Sequence, residues 1–198
     1  MSELTNAQKI YSMGIEVKKQ GNAQDAFIYF EAAAKLGDSF AQYELGYAYS
    51  FGIGIDQDYE KSYYYYALSA KQSHLTSMVN MASLLINGYG VQRDETKAVE
   101  LLTIAADKGD IGAYTSLGSY HWSKNNTAEA IKWFSLAALD NKHPGAFAAQ
   151  YRLGCIEELR SQGLIPKYWL QAKAWYQLAA KNGHKDAAIA LEERFNKK

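Results

Sequence analysis

The sequence predicts an all-α protein, a right-handed α-solenoid of about five helix-turn-helix repeats plus a C-terminal capping helix. Three observations carry this. A large apolar residue followed by a tiny one recurs at intervals of 36, at Leu45-Gly46, Met81-Ala82, Leu117-Gly118 and Leu153-Gly154, with a fainter copy at Met13-Gly14. A bulky pair with small residues one turn later follows each: Tyr29-Phe30 with Ala33-Ala34, Tyr65-Tyr66 with Ser69-Ala70, Leu101-Leu102 with Ala105-Ala106, Trp133-Phe134 with Ala137-Ala138, and Trp175-Tyr176 with Ala179-Ala180. Around these landmarks apolar residues fall at helical spacing, as at Ala98, Leu101, Leu102, Ala105 and Ala106.

Each unit is thus a helix A, a turn and a helix B, with units at approximately 4–37, 38–73, 74–109, 110–143 and 144–183 and a cap at 184–198, all in a single domain spanning 1–198. The tiny residue of helix A and the paired small residues of helix B let the two helices approach closely. No lone hairpin buries its apolar stripe, so the units stack on one another. The first unit turns through GNAQDAF and the fourth through KNNTAEA. Units two and three turn through Gly52-Ile53-Gly54-Ile55 and Gly88-Tyr89-Gly90-Val91, where glycine accepts positive φ and the β-branched residue can tuck under the turn. Asn22, Asp58, Asp94 and Asn126 then stand where a short side-chain oxygen caps helix B, a structural role for these acids. Unit five has a longer connection, Ser161 to Tyr168, marked by Pro166. The last helix, Asp186 to Phe195, keeps Ala187 and Leu191 in register and turns Glu192, Glu193, Lys197 and Lys198 to solvent.

Composition narrows the function. The 198 residues are 48% apolar with 2 prolines, which describes a globular chain and excludes a disordered one. Lys plus Arg equals Asp plus Glu at 21 each, so no global field gathers nucleic acid or anionic lipid. Cys155 is the single cysteine, which removes an intramolecular disulfide and a cysteine-built zinc site. No apolar run reaches the roughly 18 to 20 residues of a membrane span, and the first twenty residues lack the apolar core of a signal peptide. A soluble, cytoplasmic protein is expected, with no cofactor, no metal, no nucleic acid and no membrane partner.

Unit two, with Ala41, Leu45, Gly46, Tyr49, Gly52, Gly54, Ile55, Asp58, Lys61, Tyr66 and Ala70, resembles the Sel-one-like repeat, a relative of the tetratricopeptide repeat. Unit three follows with Gly88, Gly90, Val91, Asp94, Lys97, Ala98, Ala105, Ala106 and Gly109, while units one and four look closer to tetratricopeptide repeats and unit five is a hybrid. The resemblance covers nearly the whole chain. It implies a solenoid whose A helices line a concave face that holds a protein or peptide, and so a non-enzymatic interaction scaffold or adaptor. Similar proteins also serve as assembly factors, virulence factors and bacterial immunity proteins that neutralise a toxin, which is the alternative role. The secreted branch of the family carries a disulfide in each unit, and this chain departs from it.

Catalytic signals are sparse. Neither G-x-G has a third glycine at dinucleotide spacing, and both follow the repeat period. Three of the four histidines, His74, His143 and His184, fall at junctions between units, which favours a helix-junction role over metal ligation. Cys155 and His121 lie on adjacent A helices in nucleophile-and-base order, but His121 occupies the interior position of Tyr49 and an isolated cysteine is commonly a small buried hydrophobe.

Groove positions lie two before and two after the large residue of helix A. They are Tyr11 and Ile15, Tyr43 and Tyr47, Val79 and Ser83, Thr115 and Ser119, and Tyr151 and Cys155, with Trp122 a turn further on. Small polar residues, Asn80, Ser83, Thr115, Ser116 and Ser119, leave space between aromatic ends at Tyr43 and Tyr47 and at Trp122, Tyr151 and Arg152. Rigid aromatics with polar tips make strong interface anchors, and the same rings can also pack between helices. Residues 36–60 carry Asp38, Glu44, Asp56, Asp58 and Glu60 and no Lys or Arg, so an acidic, tyrosine-rich end suits a basic element of a partner, or is solvated surface with Asp58 capping. In Tyr63-Tyr64-Tyr65-Tyr66 a helix cannot point four consecutive rings inward, so at least one or two should face out.

Overall fold

The computed structural model describes residues 4–140, 142–161 and 166–195. Eleven helices and no strand occur among the described residues: α1 (Asn6–Lys19), α2 (Ala23–Lys35), α3 (Ser39–Phe51), α4 (Tyr59–Lys71), α5 (Leu75–Asn87), α6 (Glu95–Asp107), α7 (Ile111–Ser123), α8 (Thr127–Ala137), α9 (Pro144–Ser161), α10 (Pro166–Lys181) and α11 (Lys185–Phe195). Five A-B pairs and a final helix are the repeat architecture that the sequence predicts. Residues 162–165 of the expected long connection lie outside the described residues, and α10 already starts at Pro166, whose fixed φ suits a first helical position. Lys197 and Lys198 also lie outside them.

The chain divides into two compact units, residues 1–105 and 106–198. In the first, α1 to α5 pack in sequence, and the A helices α3 and α5 also touch. In the second, α7 to α11 pack in sequence and α7 touches α9. Each unit thus holds its A helices side by side.

The two landmarks meet in four of the five repeats. The ring of helix B lies directly over the glycine of helix A, so a β-carbon on Gly14 would stand 2.7 Å from Phe30, on Gly46 2.6 Å from Tyr66, on Gly118 2.6 Å from Phe134, and on Gly154 2.7 Å from Tyr176. The third repeat has Leu102 at the ring position and Ala82 at the glycine position, both fully buried. A smaller partner on helix B leaves room for one methyl on helix A, as close packing requires.

All four expected B-helix caps form: Asn22 accepts from the backbone N–H of Asp25 at 3.2 Å, Asp58 from Lys61 at 3.0 Å, Asp94 from Lys97 at 2.9 Å and Asn126 from Glu129 at 3.3 Å. The A helices are capped too, by Asp38 and Asp110 at 2.8 Å each and by the ring of His74, which accepts from Ser77 at 3.2 Å. The β-branched tuck is seen differently from expectation. Ile53 and Ile55 both stay exposed, although Ile53 borders a small apolar gap with Ala23, Ala26 and Phe27, whereas Val91 in the next repeat's turn is half-buried.

The backbone N–H of Lys61 holds the Asp58 carboxyl below its ordinary 3.8, with the Lys61 side chain adding to it; the N–H groups of Lys142 and His143 do the same for Asp140. A lowered folded value gives stability that is complete above the ordinary carboxylate range and is lost as pH falls through the folded value. Asp58→Asn keeps a capping oxygen and removes the charge, so its urea midpoint should fall less steeply between pH 4 and pH 2 than that of the unaltered protein. Identical slopes would show that the charge on this cap contributes nothing.

Candidate functional site

In the first unit the groove positions form a connected row of rings. Tyr43 and Tyr47 on α3 stand 6.3 Å apart between ring centres, and Tyr47 leans on Phe51 at 4.7 Å. Tyr43 also lies 4.9 Å from the His74 ring, which meets Phe40 edge-on at 5.1 Å, and Phe40 reaches Tyr11 on α1 at 5.9 Å. Tyr11, Tyr43 and Tyr47 are half-buried, whereas Phe40 and Phe51 are 53% and 63% exposed. These two phenylalanines extend the site beyond the positions read from the sequence. Their signal was available, since 40, 43, 47 and 51 are spaced as one helical stripe.

The row sits in an acidic setting. Burial raises the Tyr43 phenol above its ordinary value and the Glu44 carboxylate adds to it; Tyr11 is raised by burial, then by Glu44 and Asp38. Lys18 pairs with Glu44 at 2.6 Å and lies 5.7 Å from the centre of the Tyr47 ring, so this face already accommodates one cation. Asn80 and Ser83 on α5 line a cleft with Phe51 and Tyr66. Of the four consecutive tyrosines, Tyr66 is 1% exposed and Tyr64 58%, with Tyr63 and Tyr65 between them, as the helical period requires.

In the second unit the candidate residues have more varied surroundings. Ser119 and Arg152 are exposed. The Thr115 hydroxyl is engaged within the chain, near the carbonyls of Ile111 at 2.9 Å and Gly145 at 3.1 Å, where it ties α7 to α9. Trp122 packs against the core cluster of Ala130, Phe134 and Leu153. Tyr151 stacks on His184 at 4.6 Å and touches Tyr176 at 5.6 Å. The groove positions here therefore combine free polar side chains with rings that also hold helices together.

Cys155 belongs to a tyrosine-centred network. The Tyr176 hydroxyl lies 3.5 Å from its sulfur and donates to Glu158 at 2.7 Å, and Arg194 pairs with Glu158 and donates to the same hydroxyl at 3.1 Å. Burial raises the Tyr176 phenol well above its usual range, with Cys155 and Glu158 adding to it. His121 meets the ring of Tyr120. The junction histidines hold helix starts: His74 caps α5, and His143 accepts from the N–H of Gly145 at 3.0 Å. No helix among the described residues is long and apolar enough to cross a membrane.

Paired helices with a glycine-under-ring contact in four of the five repeats define an α-helical repeat protein. The chain belongs to the Sel1 repeat family, whose model matches residues 7–38, 39–74, 76–110, 113–142 and 147–184, and Sel1 repeat proteins are interaction scaffolds. It is 28% identical to the protein SHC1 of Saccharomyces cerevisiae over 92% of this chain and 37% of that one. It is 33% identical to the DAP3-binding cell death enhancer 1 of Rattus norvegicus over 93% and 36%, and 28% identical to the chitin synthase regulator SKT5 of Saccharomyces cerevisiae over 86% and 25%. The chain thus spans a quarter to two fifths of the length of these relatives. Among solved structures, the Sel1 repeat protein from Oxalobacter formigenes matches with a TM-score of 0.79 at 23% identity, over 97% of this chain and 78% of that one. The immunity protein Pa5087 from Pseudomonas aeruginosa matches at 0.65 and 20%, over 97% and 72%. Both likenesses establish the fold.

Proposed function

We propose that this protein is a non-enzymatic scaffold that holds one partner protein on its A-helix face, through Tyr11, Tyr43, Tyr47, Asn80 and Ser83 in the first unit and Thr115, Ser119, Trp122, Tyr151 and Arg152 in the second. The observation that carries it is the aromatic row from Tyr11 to Phe51, set among carboxylates and partly open to solvent. Large rings of low conformational entropy dominate measured binding hot spots, and a negative surround favours a basic partner element. Two relatives, a chitin synthase regulator and a DAP3-binding protein, support the same reading.

Affinity capture from a native lysate tests it. Tyr47→Ala with Phe51→Ala alters two groove rings without emptying the core, so the helical circular dichroism spectrum should be retained while the principal captured protein is depleted by about tenfold or more. The same protein recovered at equal yield by both baits would overturn the groove assignment. The alternative, an immunity protein, shares its fold with Pa5087. It requires that the captured protein be a toxin and that co-expression of this chain relieve its lethality; a captured protein that is harmless to the cell rules that role out.

A further inference from the structure

A cleft of about 260 Å³ opens between α3, the start of α4, α5 and the turn after it. Three of its side chains are rings: Phe51, which is exposed, and Tyr59 and Tyr89, which stack with centres 4.9 Å apart and planes 22° apart. Tyr89 is itself 49% exposed, so part of its surface is open to a ligand.

The polar floor has a direction. Ser62 donates its only hydroxyl proton to the Gly46 carbonyl at 2.8 Å, so the 2.6 Å contact between Ser50 and Ser62 must be donated by Ser50. Tyr66 and Asn80 line the cleft beside Ser50. The Asn80 amide adds a carbonyl oxygen able to accept. Gln57, at the cleft edge, uses its amide nitrogen on the Ser50 carbonyl at 2.7 Å and the Tyr59 hydroxyl at 3.1 Å, which leaves its oxygen to accept as well. No Lys or Arg lines the cleft. Asp56 and Glu60, both exposed, flank Gln57 and Tyr59 in a stretch, residues 36–60, that has five carboxylates and no basic side chain.

Open aromatic surface, amide oxygens able to accept and a negative surround together call for a flat cation rich in N–H groups. We infer that this cleft receives the guanidinium of an arginine side chain on the partner protein, an inference that rests on the scaffold reading and names the partner chemistry of its first unit. Guanidinium stacks on aromatic faces and donates in its own plane to several acceptors at once, which the point charge of lysine does not.

The test uses the isolated protein with Nα-acetyl-arginine amide as the probe, followed by two-dimensional amide NMR. Saturable shifts should concentrate at Ser50, Phe51, Gln57, Asn80 and Tyr89, with a dissociation constant in the millimolar range expected of so small a ligand. The neutral isostere Nα-acetyl-citrulline amide should bind about tenfold more weakly, and Tyr89→Ala should weaken the arginine probe by about the same factor. No shifts at the cleft, equal binding of the citrulline probe, or tighter binding of the lysine analogue would each overturn the assignment. The two readings fail separately. If Tyr89→Ala depletes the captured partner while the arginine probe leaves the cleft amides unmoved, the scaffold stands and the arginine assignment falls. If the probe binds as described and no groove substitution changes capture, the reverse holds.

Discussion

Gly90→Ala is expected to destabilise the first unit by about 3 to 5 kcal/mol, while Gly88→Ala, two residues away in the same turn, should cost only about 1 to 2 kcal/mol. Both glycines have positive φ, +70° at Gly88 and +63° at Gly90, so both substitutions carry the strain of a left-handed alanine. Their surroundings differ. A β-carbon on Gly88 meets nothing closer than 3.5 Å, whereas one on Gly90 would overlap the backbone of Tyr59 and Glu60 at the start of α4. Backbone cannot rotate away as a side-chain tip can. Relief requires opening the first turn of α4, where Asp58 accepts from the N–H of Ser62 at 2.9 Å and of Lys61 at 3.0 Å, each bond contributing about 1 kcal/mol. Urea unfolding of the two variants checks the contrast, and equal midpoints would refute the close approach. Gly54 repeats the arrangement one unit earlier, 2.5 Å from the Ala23 carbonyl oxygen, so the second glycine of each G-x-G serves packing as well as turning.

Gly118→Ala should cost about 2 kcal/mol, the balance of roughly 3 kcal/mol of overpacking against Phe134 and roughly 1 kcal/mol gained in helix propensity. The Phe134 ring is fully buried among Ala130, Ala137, Ala149 and Leu153, and has nowhere to turn. Phe134→Leu alone should cost about 1 to 2 kcal/mol through the space it leaves. The double variant should be more stable than the sum of the two by about 1 to 2 kcal/mol, because the new methyl fills part of the volume that the ring vacates. The third repeat already uses this combination in Ala82 and Leu102. Additive costs in denaturant titrations would show that the two positions do not share volume.

The scaffold was legible wherever the signal was local. Asn22, Asp58, Asp94 and Asn126 cap the helices expected of them because a cap needs only a short acceptor and the next few N–H groups. Asp38 and Asp110 carry the same signal at the A helices and are equally plain in retrospect, each three residues before a buried alanine. Phe40 and Phe51 needed only the stripe through Tyr43 and Tyr47 to be followed to both ends of α3. Other features had no local signal. Thr115 reads as a free groove hydroxyl until the carbonyl of Gly145, 30 residues on, is seen beside it. Tyr59 and Tyr89 belong to different repeats and stack only because α5 and its turn settle against α4.

The sequence by itself determined the repeat, its turns and caps, and that four consecutive tyrosines must divide between the inside and the outside of their helix, because a period of 3.6 residues and a cap are properties of neighbours along the chain. Only the tertiary structure decided which side chains remain available to a partner: the contacts that join Tyr11, Phe40, Tyr43, Tyr47 and Phe51 in one row, the engaged Thr115, and the cleft that gathers Gln57, Asn80 and Tyr89 from different elements. A hydroxyl or an amide reads the same in any sequence. Whether it donates, accepts or is already satisfied depends on groups that packing brings beside it from other helices, and that is where recognition is set.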